Sequence, residues 1–303
     1  MAKILITESV HPIGPELLTA AGHTVVYADR DMDVIRREIV DADAVLVRII
    51  ELPGSLLATA KDLKIVSKHG VGYDNIDLDY CKNHGVAVTI TPNANSLSVA
   101  EHAFTLMLTL AKNIIPVSNE YRTVGFAAKN HAPGIEMTGK TLGLIGMGRI
   151  GKHILHMCRD GLDMHVIVYD PYISEVPEGV ERVDDLSELL RRADVVTLHC
   201  LLTDETRKLI DRERLALMKS TALLINCARG PIVDEAALIE ALENGRLAGA
   251  GLDVTDPEPV APDSPLFKLP NVIVTPHYAP TTVESATRVS KIAAENINAV
   301  LAG

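Results

Sequence analysis

Three ionisable residues in the second half of the chain combine into a definite chemistry: Arg229 in "INCARGPIVDE", Glu258 in "LDVTDPEP" and His277 in "VTPH". Each follows a short apolar run, and ligands of open α/β sheets bind just beyond the carboxyl ends of such strands. An arginine placed there clamps a carboxylate through two parallel hydrogen bonds and polarises a neighbouring carbonyl. A histidine, with an ordinary pKa near neutrality, takes or returns a hydroxyl proton. A glutamate hydrogen-bonded to it sets the tautomer and favours the protonated form. Together the trio suits oxidation of an alcohol next to a carboxylate. Singly, each has a structural reading: Arg229 as a salt-bridging residue before a Gly-Pro turn, Glu258 as a solvated loop acid, His277 as a strand cap.

Such an oxidation needs a hydride acceptor beside the trio. "TLGLIGMGRIG" sets Gly146, Gly148 and Gly151 as G-x-G-x-x-G between a strand and the helix "RIGKHILHMCRD". The glycines permit a tight turn and let a pyrophosphate approach bare backbone at the positive end of the helix dipole. Alone, the pattern also serves plain strand–helix turns. The next strand, "HVIVYD", ends in Asp170, 19 residues past Gly151. A carboxylate there accepts both ribose hydroxyls of an adenosine and repels a 2′-phosphate, so NAD is expected over NADP. A class I methyltransferase shares the glycine loop and the acidic strand end; chemistry elsewhere in the cleft separates the two.

The elements that must position these residues are legible as alternation. Apolar runs at 3–7, 24–28, 44–48, 64–68 and 86–90 form one series of strands. Runs at 141–146, 165–170, 194–200, 222–228, 249–254 and 271–275 form a second. Helical patterns between them indicate an α/β fold of parallel sheets covered on both faces. An unusually apolar helix separates the series, with Ser98 and Glu101 at capping-box spacing. Residues 122–138 lack a period and read as a surface excursion. The last helix, about 282–301, has no strand after it and crosses back to the first domain, which is then discontinuous around a cleft.

Bulk properties exclude other classes. The 303 residues suggest two domains, and 47% hydrophobic with 23% charged residues is a globular balance. A net charge of −11 argues against a nucleic-acid surface and requires an anionic substrate to be held by local positive groups. No apolar run reaches the roughly 20 residues that cross a bilayer, and the N-terminal stretch is too short for a signal peptide. Cys81, Cys158, Cys200 and Cys227 lack metal-site spacing, so no metal is expected, and reduced thiols suit the cytoplasm.

Six segments then carry a family resemblance over nearly the whole chain: "KHGVGYDNID", "SVAEHAFTLML", "GKTLGLIGMGRIGKHI", "INCARGPIVDEAAL", "GAGLDVTDPEP" and "VIVTPH". They resemble the D-isomer-specific 2-hydroxyacid dehydrogenases, nearest the phosphoglycerate dehydrogenase-like branch. The resemblance implies two Rossmann-like domains: a substrate domain of 1–97 plus 283–303 and an NAD-binding domain of 98–282. It implies that Arg229 binds the substrate carboxylate and carbonyl, His277 is the acid/base, and Glu258 orients it. Arg149, Ile150 and Asp170 would contact NAD. Cys200, Cys227, Ala228 and Asp253 would line the cofactor, Asp253 near the nicotinamide amide. Val71 and Gly72 would offer backbone N–H groups to the substrate carboxylate, with Arg48 and Asn95 toward its distal end. The substrate would be a small anionic 2-hydroxy or 2-keto acid (phosphoglycerate, hydroxypyruvate, glyoxylate or a sulfonated hydroxy acid), and the assembly a homodimer. A non-catalytic NAD-sensing protein of the same fold is the alternative, against which the intact trio weighs.

Leu201, where the family usually has proline, and Tyr278–Pro280, where small residues are common, depart from the pattern. From the end at Gly303, a chain without the C-terminal regulatory domains of some members is expected. Among the other histidines, His199 is the runner-up base, His102 is expected to satisfy a core hydrogen bond, and His69 to shape the substrate loop. The rest read as structural or solvated.

Overall fold

The computed structural model describes residues 1–303 and divides into two compact units, Met1–Ser96 with Pro280–Gly303, and Leu97–Ala279. In the first unit β1 (Lys3–Ile6), β2 (Thr24–Tyr27), β3 (Ala44–Val47), β4 (Ile65–Lys68) and β5 (Ala87–Thr89) form one sheet in the order β2-β1-β3-β4-β5. Every pairing is parallel. β3 and β4 are buried at all positions, the condition of strands covered on both faces. The two-residue period divides their side chains. Ile4, Ile6, Leu46 and Ile65 pack with Leu18 of α1 (Ile13–Ala20) and with Ala293, Ala294 and Ile297 of the C-terminal helix (Val283–Leu301). Leu5, Val45, Val47 and Val66 face the other way, onto Ile35 of α2 (Met32–Glu38), Leu57 of α3 (Gly54–Leu57) and Cys81 of α4 (Leu78–Asn83). The C-terminal helix starts at the Thr282 cap and accepts a hydrogen bond at the Ala293 carbonyl from Ser67 of β4, 3.0 Å. With α1 it covers one face of the first sheet.

The second unit holds β6 (Thr141–Ile145), β7 (His165–Tyr169), β8 (Val180–Arg182), β9 (Val195–Leu198), β10 (Leu223–Asn226), β11 (Gly249–Leu252) and β12 (Val272–Val274). Their order is β12-β11-β10-β9-β6-β7-β8, all parallel. This is the doubly wound order with one further strand, and its direction reverses between β6 and β9, where such sheets bind ligands. The helices are α5 (Ser96–Ala111), α6 (Ile114–Val124), α7 (Arg149–Leu162), α8 (Leu186–Arg192), α9 (Arg212–Leu217) and α10 (Glu235–Glu243). α5 lays Val99, Ala103, Leu106 and Met107 against Leu142, Leu144, Leu223 and Ile225 of the sheet. Each large side chain so buried stabilises by about 1.5–3 kcal/mol.

Two local expectations are corrected. β8 was not foreseen: it is a three-residue edge strand with half-buried Val180 and exposed Glu181 and Arg182, too polar and short for a strand pattern. α5 begins at Ser96, so Ser98 and Glu101 lie inside it rather than forming a capping box. Residues 122–138 lie at the surface as expected, buried only at Ala128 and Met137, with the end of α6 and a 3-10 turn over Gly125–Asn130 within them. α5 and α6 are separated at Asn113, whose φ of +51° ends a helix in the left-handed manner asparagine tolerates. No helix is long and apolar enough to cross a membrane.

Candidate active site

Each glycine of the loop after β6 has a separate steric reason. Gly146 has φ +89°, and a Cβ there would lie 2.7 Å from the Cys200 nitrogen just beyond β9. Gly151 carries the helix close over the loop: its Cβ would meet the Gly146 carbonyl oxygen at 2.3 Å. Gly148, the N-cap of α7, faces open space with no atom within 4 Å of a Cβ. A tight turn, a bare approach and a close helix contact are what a pyrophosphate at a helix N-terminus needs. Asp170, one residue past β7, accepts the Met147 N–H at 2.9 Å and the Tyr172 N–H at 3.0 Å. A carboxylate has about four acceptor sites, so capacity remains for ribose hydroxyls. The residues fit a dinucleotide. Arg149 and Ile150 are half-exposed or exposed in the first turn of α7. Burial pushes the Cys200 thiol up to about 11 and raises Cys227 as well, so both stay uncharged.

The trio stands at the carboxyl ends of three adjacent strands. Arg229 follows β10 by three residues, in extended conformation, and its Nη1 donates to the Ala228 carbonyl at 2.7 Å. Asn226 braces this turn, donating to the Arg229 carbonyl and accepting from the Ala228 N–H. Glu258 lies in the loop after β11, where Glu235 of α10 accepts the Asp256 N–H at 2.9 Å. His277 follows β12, and its Nδ1 is 2.7 Å from Glu258 Oε1. Residues 258 and 277 are thus in direct contact.

His277 has φ +53°, a left-handed conformation that costs a side-chain-bearing residue about 1–3 kcal/mol. Asp253 holds it there. The His277 N–H donates to the Asp253 carbonyl at 2.8 Å. The next two N–H groups, of Tyr278 and Ala279, donate to the two carboxylate oxygens at 2.7 and 2.9 Å. Thr275 Oγ1 adds a hydrogen bond of 2.5 Å. Asp253, expected beside the nicotinamide amide, is 1% exposed, and its visible work is to fold this loop. Thr275 and Glu235 were missed in the sequence, where a lone threonine and a helix-start glutamate carry no signal. His199, the runner-up base, is closed in: burial lowers its pKa to about 3, and Nε2 bonds to Thr197 Oγ1 at 2.8 Å.

The substrate-side candidates belong to the first unit. Arg48 follows β3, with its N–H on the buried Glu8 carboxylate at 2.7 Å and its Nη1 on the Ser9 carbonyl at 3.1 Å. Val71 and Gly72 are half-buried in the loop after β4, whose last residue Lys68 bonds Asn75 Oδ1 and the Arg48 carbonyl. Beside them burial, reinforced by the Arg48 charge, lowers His69 to about 4. Asn95 presents a buried Oδ1 with no hydrogen-bond partner. Leu201 and Tyr278, the departures from the family pattern, are both exposed.

Comparison with known proteins identifies the family. Residues 104–279 match the family model described as D-isomer specific 2-hydroxyacid dehydrogenase, NAD binding domain. The chain is 42% identical to D-3-phosphoglycerate dehydrogenase of Methanocaldococcus jannaschii, over all of this chain but 58% of that protein's length. It is 37% identical to glyoxylate reductase of Thermofilum pendens, covering 99% of this chain and 92% of the relative. Among solved structures, D-lactate dehydrogenase from Aquifex aeolicus, complexed with NAD and lactic acid, is 33% identical with a TM-score of 0.89, over 99% and 96% of the two chains. A strand-end trio, an open glycine loop and likeness over the full chain place this protein in the D-isomer-specific 2-hydroxyacid dehydrogenase family.

Proposed function

We propose that the protein is an NAD-dependent oxidoreductase interconverting a small D-2-hydroxy acid and its 2-keto acid. The observation that carries this is the 2.7 Å hydrogen bond from His277 Nδ1 to Glu258, in the same unit as the open glycine loop. With Nδ1–H donated to the carboxylate, Nε2 is the atom left to take the hydroxyl proton in oxidation and return it in reduction. The carboxylate opposite stabilises the imidazolium that forms. Arg229, its guanidinium steadied by the Ala228 carbonyl, serves as the fork for the substrate carboxylate and polarises the C2 oxygen. The bound nicotinamide supplies the hydride acceptor. Asp170 at the ribose favours NAD over NADP.

Relatives acting on phosphoglycerate, glyoxylate and lactate support a short anionic acid, with Arg48, Val71, Gly72 and Asn95 as its further contacts. Exposed Ile114, Ile115, Tyr121, Val124 and Phe126 around α6 support a homodimer through that face. Four free cysteines support a reducing, cytoplasmic setting.

The test is NADH formation or consumption across a panel of 2-hydroxy and 2-keto acids. His277→Ala and Arg229→Ala should each lose about 10²-fold or more in kcat while NADH still binds. Full activity in either variant would overturn the assignment. NADH binding with no turnover by the unaltered protein on any acid would favour the NAD-sensing alternative.

A further inference from the structure

We propose that His102, on α5, is a positioning residue for His277, acting through Thr275 and Asp253; this rests on the reading of His277 as the acid/base. His102 is remote in sequence from the glycine loop and the trio. Its Nε2 nevertheless lies 3.0 Å from Thr275 Oγ1 and 3.5 Å from Asp253 Oδ1. Its ring meets Tyr278 edge-on, with centroids 6.1 Å apart. One side chain therefore touches the residue two before His277, the residue after it, and the carboxylate that folds the loop.

Packing of α5 on β11 explains the placement. A Cβ on Gly251 would lie 3.0 Å from Leu106 Cβ, and one on Gly249 would lie 3.5 Å from Leu110 Cδ2, so the helix rests directly on the glycines of this strand. Four helical residues rise about 6 Å and two strand residues about 6.6 Å, nearly the same step. Leu110 and Leu106 thus pair with Gly249 and Gly251, and the next step of the same stripe sets His102 over Asp253.

The hydrogen-bond directions follow from the chemistry of the groups. The Asp253 carboxylate accepts, so the single hydroxyl proton of Thr275 points at it across 2.5 Å. Thr275 Oγ1 then offers a lone pair to His102, whose Nε2 must carry the hydrogen. This chain from His102 through Thr275 to Asp253 ends on the N–H groups of residues 277, 278 and 279. A left-handed histidine persists only where its surroundings over-determine it. Removing the first donor leaves the Thr275 hydroxyl held from the Asp253 side alone, so the pair is freer to shift and the anchor of the strained loop loosens. A displacement of about 1 Å at a reacting group lowers rate about 100-fold.

The experiment uses the full-length protein with the best acid from the panel. His102→Leu should lower kcat at least tenfold with little change in KM or in NADH affinity. His102→Gln, which presents an N–H at similar reach, should recover most of that loss. Thr275→Val breaks the same link at nearly constant volume and should show the same loss, and the double variant His102→Leu/Thr275→Val should be no slower than the slower single one. Wild-type kcat in His102→Leu, glutamine as poor as leucine, or multiplicative effects in the double variant would each overturn the proposal. If His102→Leu does not fold, the glutamine and valine variants still decide it. Activity surviving in His277→Ala would instead refute the underlying function, so the two failures are distinct.

Discussion

Gly148 and Gly151 lie three residues apart, yet the structure assigns alanine different consequences at each. At Gly151 a methyl group would sit 2.3 Å from the Gly146 carbonyl oxygen, about 1 Å inside the 3.4–4 Å of an ordinary contact. The start of α7 must move off the loop, and overpacking of this kind destabilises by about 1–3 kcal/mol. In a unit of this size each kcal/mol lowers the melting temperature by about 2–4 °C, so Gly151→Ala should melt about 2–12 °C lower. The N–H groups at the helix start move too, and loss of one hydrogen bond to a charged phosphate, about 1.5–3 kcal/mol, weakens NADH about 10- to 150-fold. At Gly148 nothing lies within 4 Å, so the methyl group meets no protein atom. Alanine there should weaken NADH similarly by occupying the approach to the backbone. It changes stability only by the cap preference, about 1 kcal/mol or less. The assay pairs NADH fluorescence titration, undisturbed because the chain has no tryptophan, with thermal melting. Wild-type NADH affinity in Gly148→Ala, or equal melting losses in the two variants, would refute this account of the loop.

Two further outcomes follow. Asp170→Asn keeps an acceptor for the Met147 N–H but removes the charge, so it should shift the ratio of kcat/KM toward NADP by about tenfold or more; an unchanged preference would exclude Asp170 from the ribose site. Burial holds His199 neutral in the folded chain with a pKa of about 3, against about 6.5 unfolded. Its folded pKa is depressed, so below about pH 6.5 the unfolded chain takes up a proton that the folded chain refuses. Stability is complete above that pH and falls by up to about 1.4 kcal/mol per pH unit below it. His69, lowered to about 4, adds a like slope in the first unit. His199→Gln should therefore melt with a flatter pH dependence between about pH 6.5 and 5 than the unaltered protein; parallel slopes would contradict the burial argument.

The strands, the glycine loop and the strand-end trio were legible in the sequence because local physics writes them there. Parallel strands buried on both faces must be continuous apolar runs, and β3, β4, β9 and β10 are buried at every position. The loop after β6 requires glycine wherever a Cβ would collide, and those demands fall within six residues of one another. β8 escaped notice because a short edge strand needs no such run. The start of α5 was displaced by two residues because Asn95, Ser96 and Ser98 are all residue types that begin helices.

The support behind the trio was decided by tertiary structure alone. His102, Asp253 and Thr275 meet because α5 settles on the glycines of β11, and nothing in their spacing along the chain encodes that register. The left-handed backbone of His277 has the same origin. Histidine tolerates positive φ better than most side chains, but two oxygens of a buried carboxylate and one carbonyl, reached across strand ends, compel it here. The sequence by itself determined where the groups proposed for the chemistry stand, because each follows an apolar run that had to become a buried strand. How firmly each is aimed depends on contacts between residues far apart in the chain, and these exist only once the helix and the sheet have packed.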